Sequence, residues 1–305
     1  MTPDRPERRD LEVFLAVAEH GGLAAAGRAL QISTSSVSQS IRRLEHALGV
    51  ELFIRSARPF RLTAAGRSAE PLARRTLRDM DLLVASVSEA PDAISGHLTI
   101  CTIATISAQP LAQLVGVFRE RHPRVRIDII APHTPTIQEV SSAVRSGRAE
   151  LGMTEFPVEA RGLRLLELDS QEFIAVLPPG TGRGGRAISP EEFIATGIVV
   201  GPYFETSTAY SSLFARVTPE VGRHIVARTD HRHAFIHLVA EGIGATLVHS
   251  EQAAVARRLG CETVPFTPTL TRRTGLVYPA DDLAPAARAF VRMCQEQQRA
   301  RTTRL

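Results

Sequence analysis

At 305 residues, the chain is long enough for two or three domains, and its hydrophobic content of 44% is ample for globular cores. The formal charge is +4, and all 36 residues counted as Lys or Arg are arginine. The polar N-terminus does not resemble a secretory signal, and no apolar run approaches the ~20 residues of a membrane span. We therefore expect a cytoplasmic protein with no membrane partner.

Two short helical patterns precede residue 31. The first ends at Gly21 and Gly22, because glycine tolerates the backbone conformation of a helix end. The second, Leu23–Leu30, is rich in alanine, whose small side chain allows a crossing helix to approach closely. A predicted turn over residues 31–33 follows. The apolar positions of the first helix recur at helical spacing and are Leu11, Phe14, Leu15 and Ala18.

A third helix begins after Ser33 or Thr34, either of which can cap its N-terminus. One side of this helix is apolar and predicted to be buried. The other side carries hydroxyl, amide and guanidinium groups that can hydrogen-bond to base edges or phosphates, so it is the candidate DNA-reading surface. The apolar residues are Val37, Ile41, Leu44 and Leu48. The predicted DNA-binding residues are Thr34, Ser35, Ser36, Ser38, Gln39, Arg42 and Arg43.

Two short predicted strands follow, Leu52–Arg55 and Arg61–Thr63, with a basic wing between them. Arg55 and Arg58 join the predicted DNA contacts, because arginine at a wing tip suits the narrow, electronegative minor groove. From residue 28 to residue 61, six arginines stand against two glutamates, a local surplus of four positive charges. We interpret residues 6–66 as a mainly α-helical winged helix-turn-helix domain whose partner is double-stranded DNA.

This segment resembles the LysR-type transcriptional regulators. The family usually has Ser where this chain has Gly22, a second Ala at Gly27, and Gln-Pro at Thr34 and Ser35. Because Thr34 and Ser35 lie at the usual base-reading end, the operator sequence cannot be taken from relatives. The residues that carry the resemblance are Phe14, Ala26, Leu30, Ser33, Val37, Ser38, Ile41, Leu44, Glu45, Leu48, Gly49, Leu52, Phe53, Arg55, Arg58, Leu62, Thr63, Ala65 and Gly66.

Residues 63–89 read as one long helix, in which Pro71 is predicted to cause a kink. A narrow apolar seam favours a second helix as its partner, so we predict a linker and dimerisation helix over residues 67–92. Packing of the seam on the chain's own body is the alternative. The resemblance implies a dimer, a dimer of dimers, and contact with RNA polymerase. The seam residues are Ala69, Leu72, Thr76, Met80, Leu83 and Val87.

Beyond Gly96, strands and helices alternate to residue 298, which indicates largely parallel sheets with helices on both faces. The predicted strands include two separate segments, Leu163–Leu168 and Glu172–Leu177, and a late strand over Gly275–Tyr278. A helix is predicted near Thr206–Val217.

The resemblance continues into this part of the chain through Phe118–Pro123, Gly147–Gly152 and Val239–Gly244. It implies an α/β effector domain over residues 97–305, like a periplasmic binding protein, made of two Rossmann-like subdomains. The first subdomain would hold about 97–165 plus 270–305, and the second about 166–269. Two crossing strands would join them.

Open parallel sheets bind ligands beyond the carboxyl ends of their strands, where helix N-termini favour anions. This rule predicts a cleft for a small organic effector, carrying a carboxylate, held by hydroxyls and backbone amides. For any single Ser or Thr, an ordinary role as a helix cap is the alternative. The predicted effector-binding residues are Thr105, Ser107, Thr134, Thr136, Thr154, Phe204, Thr206, Thr229 and His233.

We expect a regulator rather than an enzyme, since no nucleophile elbow or phosphate-binding loop is present. No cofactor or metal is expected, although His233, His237 and Glu241 stand four residues apart. The cysteines form no CxxC pair. The resemblance implies that a peroxide sensor would need a cysteine pair within one regulatory subdomain, and Cys261 has no such partner there, so redox sensing is not expected. Two alternatives remain: an architectural DNA-binding protein that responds to no effector, and a cytosolic ligand-binding or enzymatic protein with a vestigial DNA module.

Overall fold

The computed structural model describes residues 5–57, 59–88, 94–159, 161–202, 204, 221–281 and 283–302. Its N-terminal part is the winged three-helix unit, whose two strands pair antiparallel with Phe53 opposite Leu62. These elements enclose one apolar core that includes Phe14, Val37, Leu44 and Phe53. The elements are α1 (Arg8–His20), α2 (Leu23–Leu30), α3 (Thr34–Leu48), β1 (Phe53–Ile54) and β2 (Arg61–Leu62).

Local chemistry sets the ends of these helices. Gly21 and Gly49 adopt φ of 69° and 70°, the left-handed conformation that favours glycine, and so end α1 and α3. Ser33 caps α3, because its hydroxyl accepts the backbone N–H of Ser36 at 3.1 Å. The prediction that Leu48 is buried is wrong, since it is 43% exposed. It lies in the last turn of α3, just before the chain reverses at Gly49.

A single long helix, α4 (Ala64–Ser88), follows the wing and contains Pro71. One of its sides packs on the N-terminal core through Ala73 and Leu77. Leu72 is 63% exposed, and Met80, two turns beyond Ala73, is 39% exposed. The helix therefore packs on its own domain through part of its length and leaves these apolar residues directed to solvent.

The rest of the chain is organised around one seven-stranded sheet, in which the order along the main path is β10-β6-β11-β5-β3-β4 and β9 pairs with β6. The strands are β3 (Gly96–Thr102), β4 (Val125–Ile130), β5 (Leu151–Phe156), β6 (Leu163–Leu177), β7 (Ile198–Val200), β8 (Ile225–Arg228), β9 (Thr246–His249), β10 (Glu262–Pro265) and β11 (Thr271–Pro279).

The expectation of largely parallel sheets is wrong for this sheet. Pairs β3–β4 and β3–β5 are parallel, but β11 runs antiparallel to both β5 and β6, and β6 runs antiparallel to β9 and β10. The physical reason is that β6 and β11 are long connecting strands that reverse direction against the parallel core. Strands β7 and β8 form a separate parallel pair.

Two further strand predictions need correction. The segments Leu163–Leu168 and Glu172–Leu177 form one continuous strand, because polar Asp169 and Ser170 stay paired with β11. The late strand begins at Thr271, four residues before the predicted start at Gly275. The helix predicted near Thr206–Val217 lies outside the described residues.

Helices cover both faces of the sheet. A kinked helical segment runs from α5 (Ala104–Ile106) through a π-type turn (Ser107–Leu111) into α6 (Ala112–Arg121). The remaining helices are α7 (Ile137–Arg145), α8 (Pro190–Ala195), α9 (Ala234–Ala240), α10 (Ala253–Arg258) and α11 (Pro285–Thr302). Short 3-10 turns lie at Val221–His224 and Ser250–Gln252.

The buried apolar residues of this region divide into two groups. One group joins residues 94–168 to residues 276–294 and includes Leu98, Phe118 and Phe290. The other lies within residues 173–270 and includes Phe193 and Phe266. Strands β6 and β11 connect the two groups. Among the described helices, none is both long enough and apolar enough to cross a membrane.

Candidate DNA interface and effector cleft

The polar side of α3 is directed outward. Val37, Ile41 and Leu44 on the opposite side are at most 3% exposed. Because the apolar side fills the core, the hydroxyl and amide groups on the other side remain available to a ligand. Residues Thr34, Ser35, Gln39, Arg42 and Arg43 are exposed, and Ser36 and Ser38 are partly exposed.

Three serines form a small network at the N-terminus of α3. The Ser33 hydroxyl lies 2.8 Å from the hydroxyls of both Ser35 and Ser36. A hydroxyl can donate and accept, so Ser35 and Ser36 keep hydrogen-bonding capacity for an outside group. The helix N-terminus beside them favours negative charge, which suits a phosphate.

Two of the predicted DNA-binding arginines also hold the module together. Arg43 Nη2 lies 2.6 Å from Oδ1 of Asp10 on α1, and it donates to Ser40 at 3.0 Å. Arg55 Nη2 lies 2.6 Å from Oε2 of Glu45. Both arginine side chains are nearly half exposed, at 46% and 43%.

Their carboxylate partners are buried. Asp10 is 2% exposed, so Arg43 balances a charge inside the domain. Glu45 is 8% exposed and also accepts the backbone N–H of Leu52 at 2.9 Å, which fixes the start of the wing against α3. Arg58, the predicted wing-tip residue, lies outside the described residues.

The hydroxyls predicted for the first half of the effector cleft lie after β3 and β4, except that of Thr154, which lies within β5. Thr105 is buried, and its Oγ1 accepts a hydrogen bond from Arg272 at 3.0 Å. Ser107 and Thr134 are partly exposed. Thr136 caps α7 by accepting the N–H of Glu139 at 3.3 Å, so this residue does perform the ordinary capping role.

Thr154 is fully buried within β5, two residues before the strand ends at Phe156, and its Oγ1 has no hydrogen-bond partner within the described residues. Its backbone lies opposite Gly275 on β11. An unsatisfied buried hydroxyl is uncommon, because it loses its bonds to water without replacing them. Thr154 therefore keeps its hydrogen-bonding capacity directed into the protein interior.

The predicted residues of the second half are more scattered. Phe204 is buried in the apolar core, with the Arg228 guanidinium 5.0 Å from its ring centre. The Thr229 hydroxyl accepts the N–H of His231 at 3.1 Å, and His233 is exposed at the start of α9. Thr206 lies outside the described residues. The described residues contain no metal-type cluster of three or more His, Cys, Asp or Glu.

The structure adds a buried polar cluster that the sequence analysis missed. Arg272 on β11 donates from Nη1 to Glu155 Oε1 at 2.6 Å and from Nε to Gln171 Oε1 at 2.8 Å. His249 and Phe173 lie beside it, with their ring centres 4.6 Å apart. Arg272, Gln171 and His249 are each no more than 3% exposed.

Alternation along residues 271–274 is the signal that could have located this cluster. Thr271 and Arg273 are exposed, whereas Arg272 and Thr274 are buried, as in a strand with one covered face. Two consecutive arginines are not typical of a buried strand, so this alternation is a weak signal in the sequence alone.

The fold and these two sites define a class of protein: a DNA-binding module joined by a long helix to a ligand-binding α/β domain. Residues 8–67 match the family model described as bacterial regulatory helix-turn-helix protein, lysR family. Residues 91–299 match the model described as LysR substrate binding domain. The chain therefore belongs to the LysR family of DNA-binding transcription regulators with an effector-binding domain.

Two relatives agree with this assignment. The chain is 29% identical over 296 residues to the HTH-type transcriptional regulator IlvR of Caulobacter vibrioides, covering 94% of this chain and 97% of that protein. It is 31% identical over 186 residues to a probable hydrogen peroxide-inducible genes activator of Mycobacterium xenopi, covering 61% of this chain and 97% of that protein.

Solved structures share the fold. Full-length CbnR complexed with its target DNA has a TM-score of 0.67 and 21% identity, covering 95% of this chain and 99% of that chain. HinK, a LysR family transcriptional regulator from Pseudomonas aeruginosa, has a TM-score of 0.53 and 24% identity, covering 96% and 98%. At these identities the likeness establishes the fold alone.

Proposed function

We propose that the outward side of α3 reads a DNA operator in the major groove. The observation that carries this proposal is the exposed row of hydroxyl, amide and guanidinium groups on a helix whose apolar side is buried. Ser38 and Gln39 are assigned to base edges. Arg42 is assigned to a phosphate, because an exposed guanidinium matches phosphate in charge and geometry.

We also propose DNA contacts by further residues of α3 and of the wing. They are Thr34, Ser35, Ser36, Arg43, Arg55 and Arg58. Arg43 and Arg55 have a second role, because their ion pairs with Asp10 and Glu45 seat α3 and the wing. We assign Arg58 to the minor groove from the sequence pattern alone.

Two copies of the chain are needed for a near-palindromic operator, and α4 supplies a surface for pairing them. Leu72 and Met80 are exposed apolar residues of α4 that are not part of the N-terminal core. We propose a dimer through these residues, and a dimer of dimers on DNA, that contacts RNA polymerase in the cytoplasm. Residues 6–66, 67–92 and 97–305 are the proposed functional units.

We further propose that a small anionic organic molecule, not a catalytic substrate, binds between the two halves of the effector domain. Hydroxyl-bearing residues after the parallel strands, including Thr105, Ser107 and Thr134, lie at the edge where such sheets bind ligands. Thr136, Thr154, Phe204, Thr206, Thr229 and His233 complete the proposed set. Unequal affinity of the effector for two arrangements of the halves then changes DNA binding.

The thiols favour an organic effector over peroxide. Cys101, Cys261 and Cys294 are buried and unpaired. Burial raises the pKa of Cys101 to about 11 and that of Cys294 to about 12, and it also raises the pKa of Cys261. The reactive thiolate form is therefore rare at neutral pH.

Gel retardation with the DNA upstream of the protein's own reading frame tests the proposal. We expect sequence-dependent retardation that weakens steeply with salt, because bound arginines release counterions from phosphates. Equal retardation of a scrambled duplex would instead support an architectural DNA-binding protein. No retardation of either duplex would contradict DNA regulation.

A further inference from the structure

One buried face of the central sheet carries a polar layer where β6 and β11 pass between the two halves of the effector domain. Directly opposed residues of neighbouring strands project to the same face, as do alternate residues of one strand. Arg272 is opposite Gln171, and His249 is opposite Phe173. Glu155 is opposite Thr274, two residues from Arg272.

The hydrogen bonds of Arg272 are incomplete. Its Nε bonds Gln171 at 2.8 Å, and its Nη1 bonds Glu155 at 2.6 Å and Thr105 at 3.0 Å. The two N–H donors on Nη2 have no partner within the described residues, although the side chain is only 1% exposed. Buried donors without acceptors cost free energy, so this edge of the guanidinium is prepared for an acceptor.

The Arg272 guanidinium is positively charged at neutral pH, whereas the neighbouring His249 imidazole is neutral. Burial lowers the pKa of Arg272 to about 10, so the group stays protonated at neutral pH. Burial and then the charge of Arg272 lower the pKa of His249 to about 2, so its ring is neutral. His249 Nδ1 is also buried without a partner and offers a second polar atom on the same face.

We propose that Arg272 anchors the effector by donating from Nη2 to the carboxylate of a small organic acid. This inference rests on the proposed effector cleft and names the group that holds the ligand's charge. Glu155 and Gln171 occupy the other edges of the guanidinium, so they orient it and leave one edge for the ligand.

The position of Arg272 couples ligand binding to the arrangement of the two halves of the effector domain. Thr105 and Glu155 belong to the half that contains β3 and β5, whereas His249 belongs to the half that contains β9. A carboxylate bound at Nη2 lies at the junction of the halves. It stabilises whichever arrangement brings the most donors to it.

Thermal unfolding of the full chain tests the anchor, with sodium formate, acetate and benzoate as probes and sodium chloride at equal ionic strength as reference. We expect each carboxylate to raise the melting temperature of the wild type above the chloride value, since a ligand that binds only the folded state stabilises it. The rise should vanish in the double variant Glu155→Gln/Arg272→Gln, which removes both buried charges together.

Arg273→Gln is the matched control. Arg273 is the next residue on β11, faces the other side and forms an exposed ion pair with Glu167 at 3.1 Å. Its variant should keep the full carboxylate response. If circular dichroism shows that the double variant is unfolded, Arg272→Lys replaces it. That variant keeps the charge but loses the Nη2 donors, so the response should shrink.

Three outcomes overturn the proposal: no carboxylate-specific rise in the wild type, an undiminished rise in the folded Arg272 variants, or loss of the rise in Arg273→Gln. An undiminished rise in the melting temperature of the folded Arg272 variants would indicate an anion site elsewhere in the cleft. In that case only the assignment of Arg272 as the anchor would be wrong. Failure of the wild type to retard DNA would overturn the proposed function independently.

Discussion

Neighbouring arginines on α3 should have different roles, and paired substitutions can separate them. Arg43 neutralises Asp10, whose side chain is 3% exposed, whereas Arg42 is exposed and outside the described ion pairs. We expect Arg43→Ala to destabilise the N-terminal domain, because the Asp10 carboxylate loses its partner while remaining buried. We expect Arg42→Ala to leave stability unchanged and to weaken DNA binding.

The size of the Arg43 effect can be estimated from burial. Breaking a fully buried ion pair costs about 3–5 kcal/mol, and an exposed pair contributes about 0–1 kcal/mol. Here one partner is buried and the other is 46% exposed, so solvent screens part of the interaction. We therefore expect a loss of about 2 kcal/mol in the free energy of unfolding, between those two limits.

Urea unfolding followed by circular dichroism gives the stabilities of both variants, and salt-dependent gel retardation gives their DNA binding. Arg42→Ala should reduce the slope of log affinity against log salt by about 0.9, the value of one lost phosphate contact. Asp10→Asn/Arg43→Ala should be more stable than Arg43→Ala, since no unpaired charge remains. Equal destabilisation by Arg42→Ala and Arg43→Ala would refute the reasoning.

Three further predictions concern the linker, a buried acid and the sheet. Leu72→Glu should convert a dimer to a monomer in light scattering; an unchanged mass would contradict pairing through α4. Burial raises the pKa of Glu150, so its contribution to stability is greatest in acid and is lost as pH rises through that pKa. Glu150→Gln should therefore be more stable than the wild type near neutral pH and equally stable in acid. A difference in melting temperature between the two proteins that is the same at every pH would contradict this. Gly275→Ala should destabilise the fold by about 1–3 kcal/mol in urea unfolding, since the added Cβ would meet the Leu166 carbonyl oxygen; an unchanged midpoint would contradict this close packing.

The N-terminal module could be predicted almost element by element, because neighbouring residues decide its structure. Gly21 and Gly49 end helices by their own backbone freedom, and Ser33 caps α3 through a bond three residues away. Such signals are local, so a short sequence window contains them. The prediction that Leu48 is buried is wrong because the burial of this residue depends on where the chain turns after the helix.

The central sheet could be predicted only in part, because long-range pairing decides its strands. Asp169 and Ser170 read as a break between two strands, yet the ladder with β11 continues through them. The direction of β11 is likewise set by partners far away in sequence. Local propensity cannot report such pairings.

The candidate effector site shows the same limit. Thr105 was predicted from its place after β3, and the structure puts it in contact with Arg272. Arg272 itself was not predicted, since a charged residue is rarely buried unless its partners are known. Those partners, Glu155 and Gln171, lie more than 100 residues away along the chain.

Selection of bound sequences from randomised duplexes tests the central claim most directly, using the wild type and the double variant Ser38→Ala/Gln39→Ala. Ser38 is partly exposed and Gln39 is exposed, so the variant should fold as the wild type does. The wild type should select a two-fold symmetric consensus, and the variant should lose it, with each lost base contact worth about 1–3 kcal/mol. An unchanged consensus for the folded variant would show that another surface of the protein reads DNA.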